Sequence, residues 1–124
     1  MNHFPAGAAI FGAFIIGDEI LSGKRQDKHL VKIIDILRVR GLELSWGHYL
    51  GDDPQRITQE FKRSFATGDI VFSFGGIGAT PDDHTRQCAA AALGVSLHRH
   101  PDAVKEIEAR FGADAYPRRV IMAE

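Results

Sequence analysis

"AAIFGAFII", residues 8–16, is apolar from end to end and shows no alternation of polar and apolar positions. A strand with one wet face alternates. A strand without alternation, rich in Ile and Phe, is covered on both faces, as in a parallel sheet sandwiched by helices. "DIVFSF", residues 69–74, repeats the signature and is expected to be a second strand of this kind.

The segments around these two runs fit helices and a further strand. In "DKHLVKIIDILRVRG" (27–41), Leu30, Ile33, Ile34 and Leu37 recur at helical spacing, Asp27 is placed to cap the start, and Gly41 to end it in the left-handed region. "LELSWGHYL" (42–50) alternates, which predicts a strand near a sheet edge with Leu42, Leu44, Trp46, His48 and Leu50 on one face. In "GDDPQRITQEFKRSFATG" (51–68), Asp53 reads as an N-cap and Pro54 as the first helical residue. Ile57, Phe61 and Phe65 follow on one stripe, and Gly68 closes the segment. "DDHTRQCAAAALG" (82–94) reads as a helix ended by Gly94, and "LHRHPDAVKEIEARFG" as another with Pro101 in its first turn and Val104, Ile107 and Phe111 on one face. "GADAYPRRVIMAE" reads equally as turns or as the approach to another strand. Strand–helix alternation of this kind predicts an α/β fold, a mostly parallel, doubly wound sheet built from right-handed crossovers.

Composition narrows the function classes. The chain has 124 residues, 44% hydrophobic and 25% charged, the size and balance of one globular domain. A formal net charge of −1 gives no positive field to gather nucleic acid, and no nucleic-acid partner is expected. The apolar run at 8–17 is too short to span a bilayer, and the N-terminus lacks a basic flank, so neither a membrane partner nor a leader is expected. Cys88 is solitary, which excludes an internal disulfide and suits a reducing, cytoplasmic compartment. It lies in an alanine-rich helix and reads as a small buried hydrophobe. His98 and His100 in "HRHP" lack a third ligand nearby and read as a polar loop.

Ligands of open α/β sheets gather at the carboxyl ends of the strands. Three segments leave such ends here: "GDEILSG" (17–23), read as a loop, "GDDP" (51–54) and "GGIGATPDD" (75–83). Gly75, Gly76 and Gly78 permit positive φ and close approach of a ligand, and backbone N–H groups in such a loop can hold an anion without basic side chains. Neither GxGxxG nor GxxxxGK[ST] is present. Each acidic pair has a commonplace reading, since Asp82 and Asp83 could cap the next helix and Asp53 its own. Together with Asp18, Glu19 and Asp52 they would repel one another unless a cation intervened. Magnesium, which takes one or two carboxylates plus phosphates and water, answers that tension.

"IGDEILSGKRQDKHLVKIIDILRVRG", "YLGDDPQRI" and "FGGIGATPDDHTRQCAAAALG" together resemble the molybdopterin-binding domains of MoaB, MogA and MoeA, and most closely the amino-terminal domain of CinA-like proteins. The resemblance runs from about Ala8 to Ala123. It implies a three-layer α/β/α fold and a pocket for a phosphorylated pterin or nucleotide: molybdopterin, ATP or an ADP-ribose type. It implies catalytic roles for Asp83 and Asp52, which would hold a magnesium or other divalent cation; Asp82 beside them is a further candidate metal ligand. Gly75, Gly76, Gly78, Thr80 and Thr85 would line the phosphate, with Asp18 and Glu19 as further ligand contacts. Relatives with magnesium attach AMP to molybdopterin, and some CinA-like members hydrolyse dinucleotide pyrophosphates. A non-catalytic binding or oligomerisation module is the alternative, and a homo-oligomer is expected either way. Ala79 stands where the family has proline, and His29 and His84 also depart from its pattern. The family domain continues past Met122 and Ala123, so residues 1–124 are expected to be one domain cut short at its C-terminal end.

Overall fold

The computed structural model of the chain describes residues 8–124. The N-terminal stretch on which the expected absence of a leader rests lies outside the described residues. Three strands and five helices follow in the order β1 (Phe11–Ile16), α1 (Asp18–Leu21), α2 (His29–Val39), β2 (Leu44–Leu50), α3 (Pro54–Phe65), β3 (Ile70–Phe74), α4 (Thr85–Leu93) and α5 (Pro101–Phe111). Two 3₁₀ segments, Gly112–Ala115 and Arg119–Ala123, complete the described chain. The tail therefore forms tight turns and no strand. The described chain divides into two compact units, each assembled from two stretches: 8–51 with 63–74, and 52–62 with 75–124.

The first unit holds the sheet. Its order is β2-β1-β3, and both pairings are parallel. β1 is central, and five of its six residues are buried, as the absence of alternation predicted. On one face Ala13 and Ile15 pack with Ile33 and Leu37 of α2, joined by half-buried Leu30, Leu44, Phe72 and Phe74. Burying a Leu or Ile side chain contributes about 1.5–3 kcal/mol, so this cluster does much to hold the unit together. Ile34, expected on the same stripe, is 44% exposed, because the stripe that meets the cluster centres on Ile33 and Leu37 and leaves Ile34 at its flank.

The other face corrects the alternation expected in β2. The pairing with β1 slips between Phe11 and Gly12, whose partners are Leu44 and Trp46, so Ser45 is skipped. That one-residue irregularity turns the rest of the strand over. Leu44 faces the α2 cluster, whereas Trp46 packs edge-on against Phe14 at 5.1 Å between ring centres and His48 lies 6.0 Å from the same ring. A Cβ on Gly12 would sit 2.0 Å from the Trp46 indole, so the ring occupies the place of a side chain. Its Nε1 donates to Asp69 Oδ2 at 2.9 Å. β3 is less buried than its composition predicted: it is the edge neighbour of β1, and Ile70 is 46% exposed.

Helix ends follow the sequence closely in most places. Asp27 accepts from the His29 and Leu30 backbone N–H groups at 2.8 and 3.1 Å and starts α2. Asp53 accepts from Gln55 N–H at 3.1 Å ahead of Pro54. Gly41, Gly68 and Gly94 all have positive φ where the chain leaves a helix. In the second unit Ile57 and Phe61 are buried, as is Cys88, whose Sγ donates to Pro54 O. Phe65 is exposed, a correction to the expected stripe. Val104, Ile107 and Phe111 are half-buried along α5, and His100 Nδ1 accepts from Asp102 N–H to cap that helix.

Candidate functional site

The chain between β3 and α4 carries a connected set of specific contacts in the second unit. α4 begins at Thr85, later than the sequence predicted, with His84 as its flanking residue. Asp82 and Asp83 are therefore not its caps. They close a turn in which Asp83 N–H donates to Thr80 O at 3.0 Å. Gly75 and Gly76 adopt positive φ, 94° and 68°, which a side chain would resist.

Thr85 and Arg86 grip this turn from the helix. The Thr85 hydroxyl donates to Gly75 O at 2.8 Å and its N–H to Gly76 O at 3.0 Å, and the residue is buried. Thr85 thus faces the loop's own backbone. Arg86 reaches back with both terminal nitrogens: Nη1 donates to Ile77 O and Nη2 to Gly78 O at 3.0 Å. Its Nε is buried and has no partner among the described residues. Sequence reasoning passed over Arg86; the available signal was a forked cation one residue into the helix after a glycine loop, where it can collect two carbonyls at once.

With those carbonyls turned to α4, the loop's donors converge on Asp83. Its Oδ2 accepts from Thr80 N–H at 3.0 Å and Thr80 Oγ1 at 2.8 Å, and Gly78 N–H also donates to the carboxylate. A Cβ at Gly78 would lie 2.5 Å from Oδ2. Gly78 is thus a glycine because a carboxylate occupies that space. Burial pushes the Asp83 pKa up, but the hydrogen bonds from Thr80 and Gly78 and the nearby Arg86 charge outweigh it and hold the group below the ordinary carboxylate range. A cavity of about 340 Å³ opens beside the turn, lined among others by Thr80, Asp83, His84, Arg86 and Arg118.

The other predicted residues sit as follows. Asp18 and Glu19 belong to the first unit, in the one-turn helix α1, where a plain loop was expected. Asp18 Oδ1 would lie 2.6 Å from a Cβ on Gly51, and the Glu19 carboxylate folds back onto Gly17. Asp52 is half-buried ahead of α3 and Asp82 is exposed. Among the described residues no group of three or more His, Cys, Asp or Glu side chains is placed to hold a metal ion. The first unit contains a second organised carboxylate: Asp27 also accepts from Tyr49 OH at 2.9 Å and His29 Nδ1 at 3.0 Å, while the His29 ring stacks on Phe74.

The model of the probable molybdopterin binding domain matches residues 12–124, which takes in the whole of this loop. The chain belongs to this family. A CinA-like protein of Koribacter versatilis is 36% identical over 109 residues, covering 88% of the chain and 25% of that protein. The chain thus spans about a quarter of the length of such a relative. A crystal structure of CinA from Thermoplasma acidophilum, described as of unknown function, superposes with a TM-score of 0.82 at 32% identity, covering 94% of this chain and 69% of that one. The molybdopterin biosynthesis enzyme MoaB of Thermus thermophilus superposes at 0.61 with 19% identity, covering 94% and 71%. That last likeness speaks for the fold: an α/β fold with a parallel sheet, into which the three-layer α/β/α arrangement fits. No described helix is long and apolar enough to cross a membrane.

Proposed function

We propose that this molybdopterin-binding-family domain receives a phosphorylated small molecule, molybdopterin in the first instance, at the 75–85 turn. The observation that carries the reading is the donor set of Gly78 N–H, Thr80 N–H and Thr80 Oγ1, already converged on a carboxylate. Donors that hold one oxyanion have the geometry to hold another. Gly75 and Gly76 shape the turn, and Thr85 and Arg86 fix it, so the donors are organised before a ligand arrives.

Phosphoanhydride chemistry is the finer proposal: adenylylation of molybdopterin, or cleavage of an ADP-ribose-type pyrophosphate. Magnesium takes one or two protein carboxylates and completes its shell with ligand phosphates and water. A cation that arrives with such a ligand would be met by Asp52, Asp82 or Oδ1 of Asp83. When bound, it would neutralise charge on the phosphate oxygens. Assembly into a homo-oligomer and a cytoplasmic setting accompany the proposal; light scattering on the purified chain tests the first.

The deciding experiment is calorimetric titration with molybdopterin, ATP and ADP-ribose, each with and without magnesium, followed by chromatography for AMP. Saturable binding of molybdopterin supports the site, and AMP release supports the chemistry. Binding without product makes the domain a holding module, and no binding by any of the three refutes the site.

A further inference from the structure

The donors that should greet a phosphate are already engaged. Asp83 Oδ2 lies within 3.0 Å of Thr80 N and 2.8 Å of Thr80 Oγ1, and Gly78 N–H donates to the same carboxylate. The space over Gly78 that would admit a ligand oxygen is filled by that carboxylate, 2.5 Å from where a Cβ would stand. A phosphate entering beside it would meet a negative charge and a spent donor set.

A second observation supplies somewhere for the carboxylate to go. Arg86 Nε is buried and unpartnered, although both terminal nitrogens of the same guanidinium are hydrogen-bonded to loop carbonyls. A buried unpaired donor on a charged group is costly, because its lost hydration is not replaced. Arg86 stands close enough to Asp83 for its charge to act on that carboxyl, and both line the same cavity.

We infer that Asp83 is an internal latch, a carboxylate that occupies the Gly78–Thr80 donors and exchanges them for Arg86 Nε–H when a phosphate takes its place. No bond is made or broken beyond hydrogen bonds, and no proton need move. One unsatisfied donor is satisfied as the ligand enters, which offsets part of the cost of displacing the carboxylate. Arg86 is then a positioning residue in both arrangements, holding the loop carbonyls throughout.

The inference rests on the proposed phosphate site, and the test separates the two. The probe is inorganic pyrophosphate in EDTA, titrated calorimetrically into the intact chain. Asp83→Asn is expected to bind it at least five-fold more tightly than wild type, because the competing charge is gone. Arg86→Lys, which keeps a cation but loses the Nε–H and the fork on the loop carbonyls, is expected to weaken binding in both backgrounds, and about five-fold more in wild type than in Asp83→Asn. An Arg86→Lys effect of equal size in both backgrounds means a merely structural arginine and overturns the exchange. Equal or weaker binding by Asp83→Asn, or none by either protein, overturns the latch. Should Asp83→Asn not fold, ¹⁵N-resolved spectra of wild type decide: the Gly78 and Thr80 amides and the Arg86 Nε–H must shift together with pyrophosphate, and an unmoved Nε–H refutes the exchange. Wild-type binding of molybdopterin, measured separately by fluorescence, reports on the site itself whatever happens to the latch.

Discussion

At Gly12 and at Gly78 a neighbouring side chain occupies the place of a Cβ, and the two neighbours could hardly differ more. Over Gly12 in β1 lies the Trp46 indole; over Gly78 in the loop lies the Asp83 carboxylate. The indole is a rigid body pinned by Phe14 on one side and by its hydrogen bond to Asp69. The carboxylate is the end of a short side chain that can rotate, in a turn held only by hydrogen bonds. The first glycine belongs to a closely packed interior, where a single added carbon forces the surroundings to move. The second belongs to a polar turn that can rearrange. Stability is therefore concentrated around the sheet, and the capacity to exchange partners is concentrated in the loop.

The largest effect should come from breaking the packed side. Gly12→Val is expected to destabilise the protein by about 2–3 kcal/mol, read from urea unfolding. A companion Trp46→Leu change should return part of that loss, since it removes the ring that the valine meets. Equal loss with and without Trp46 would show that the two residues do not compete for that space.

Asp27 provides the control for Asp83, because it too is a carboxylate collecting backbone and side-chain donors. Its place is structural: cap of α2, partner of Tyr49 OH and of the His29 that stacks on Phe74. Asp27→Ala should cost about 1–2 kcal/mol in thermal or urea unfolding, the usual range for a lost cap, with no specific loss of ligand binding. A selective binding defect would sink the distinction between the two carboxylates.

Gly78→Ala should show the reverse balance. Its backbone has no positive φ, so alanine is tolerated conformationally, but the new methyl displaces Asp83 Oδ2. Stability should fall by about 1 kcal/mol or less, the net value of a hydrogen bond or so, while molybdopterin affinity drops much further. Unfolding curves and calorimetry on one sample measure both.

The smallest effect is the pH dependence. Burial raises both carboxyls, but the donors around Asp27 and Asp83 hold each below the usual value of 3.8. A depressed folded-state value means stability that is present above the unfolded value and lost as pH falls through the folded one. Unfolding free energy should thus be flat above about pH 5 and decline below 3.8, less steeply in Asp27→Asn than in wild type. An unchanged slope would mean that Asp27 titrates alike in both states.

Much of the frame was legible in the residues. The unbroken apolar run of β1, the caps at Asp27 and Asp53 and the helix-ending glycines at 41, 68 and 94 all depend on local chemistry, which sequence exposes directly. The loop motifs also identified the family without any coordinates. What escaped were matters of register and partner. Nothing local announced that Ser45 would be skipped, sending Trp46 to the face opposite Leu44, because a bulge is a property of the pairing between two strands. Nothing local placed Arg86 on the carbonyls of Ile77 and Gly78, or turned the Thr85 hydroxyl inward.

By itself, then, the sequence determined which residues form strands and helices, where those elements end and which family the loop belongs to, since propensity, capping and motif spacing act over a few neighbouring residues. Only the tertiary structure decided what each loop residue touches. The acids and glycines of "GGIGATPDD" were the same on paper whether they faced a cation, a phosphate or one another. Folding resolved that choice by hydrogen-bond satisfaction, turning the loop carbonyls to Thr85 and Arg86 and its remaining donors to Asp83.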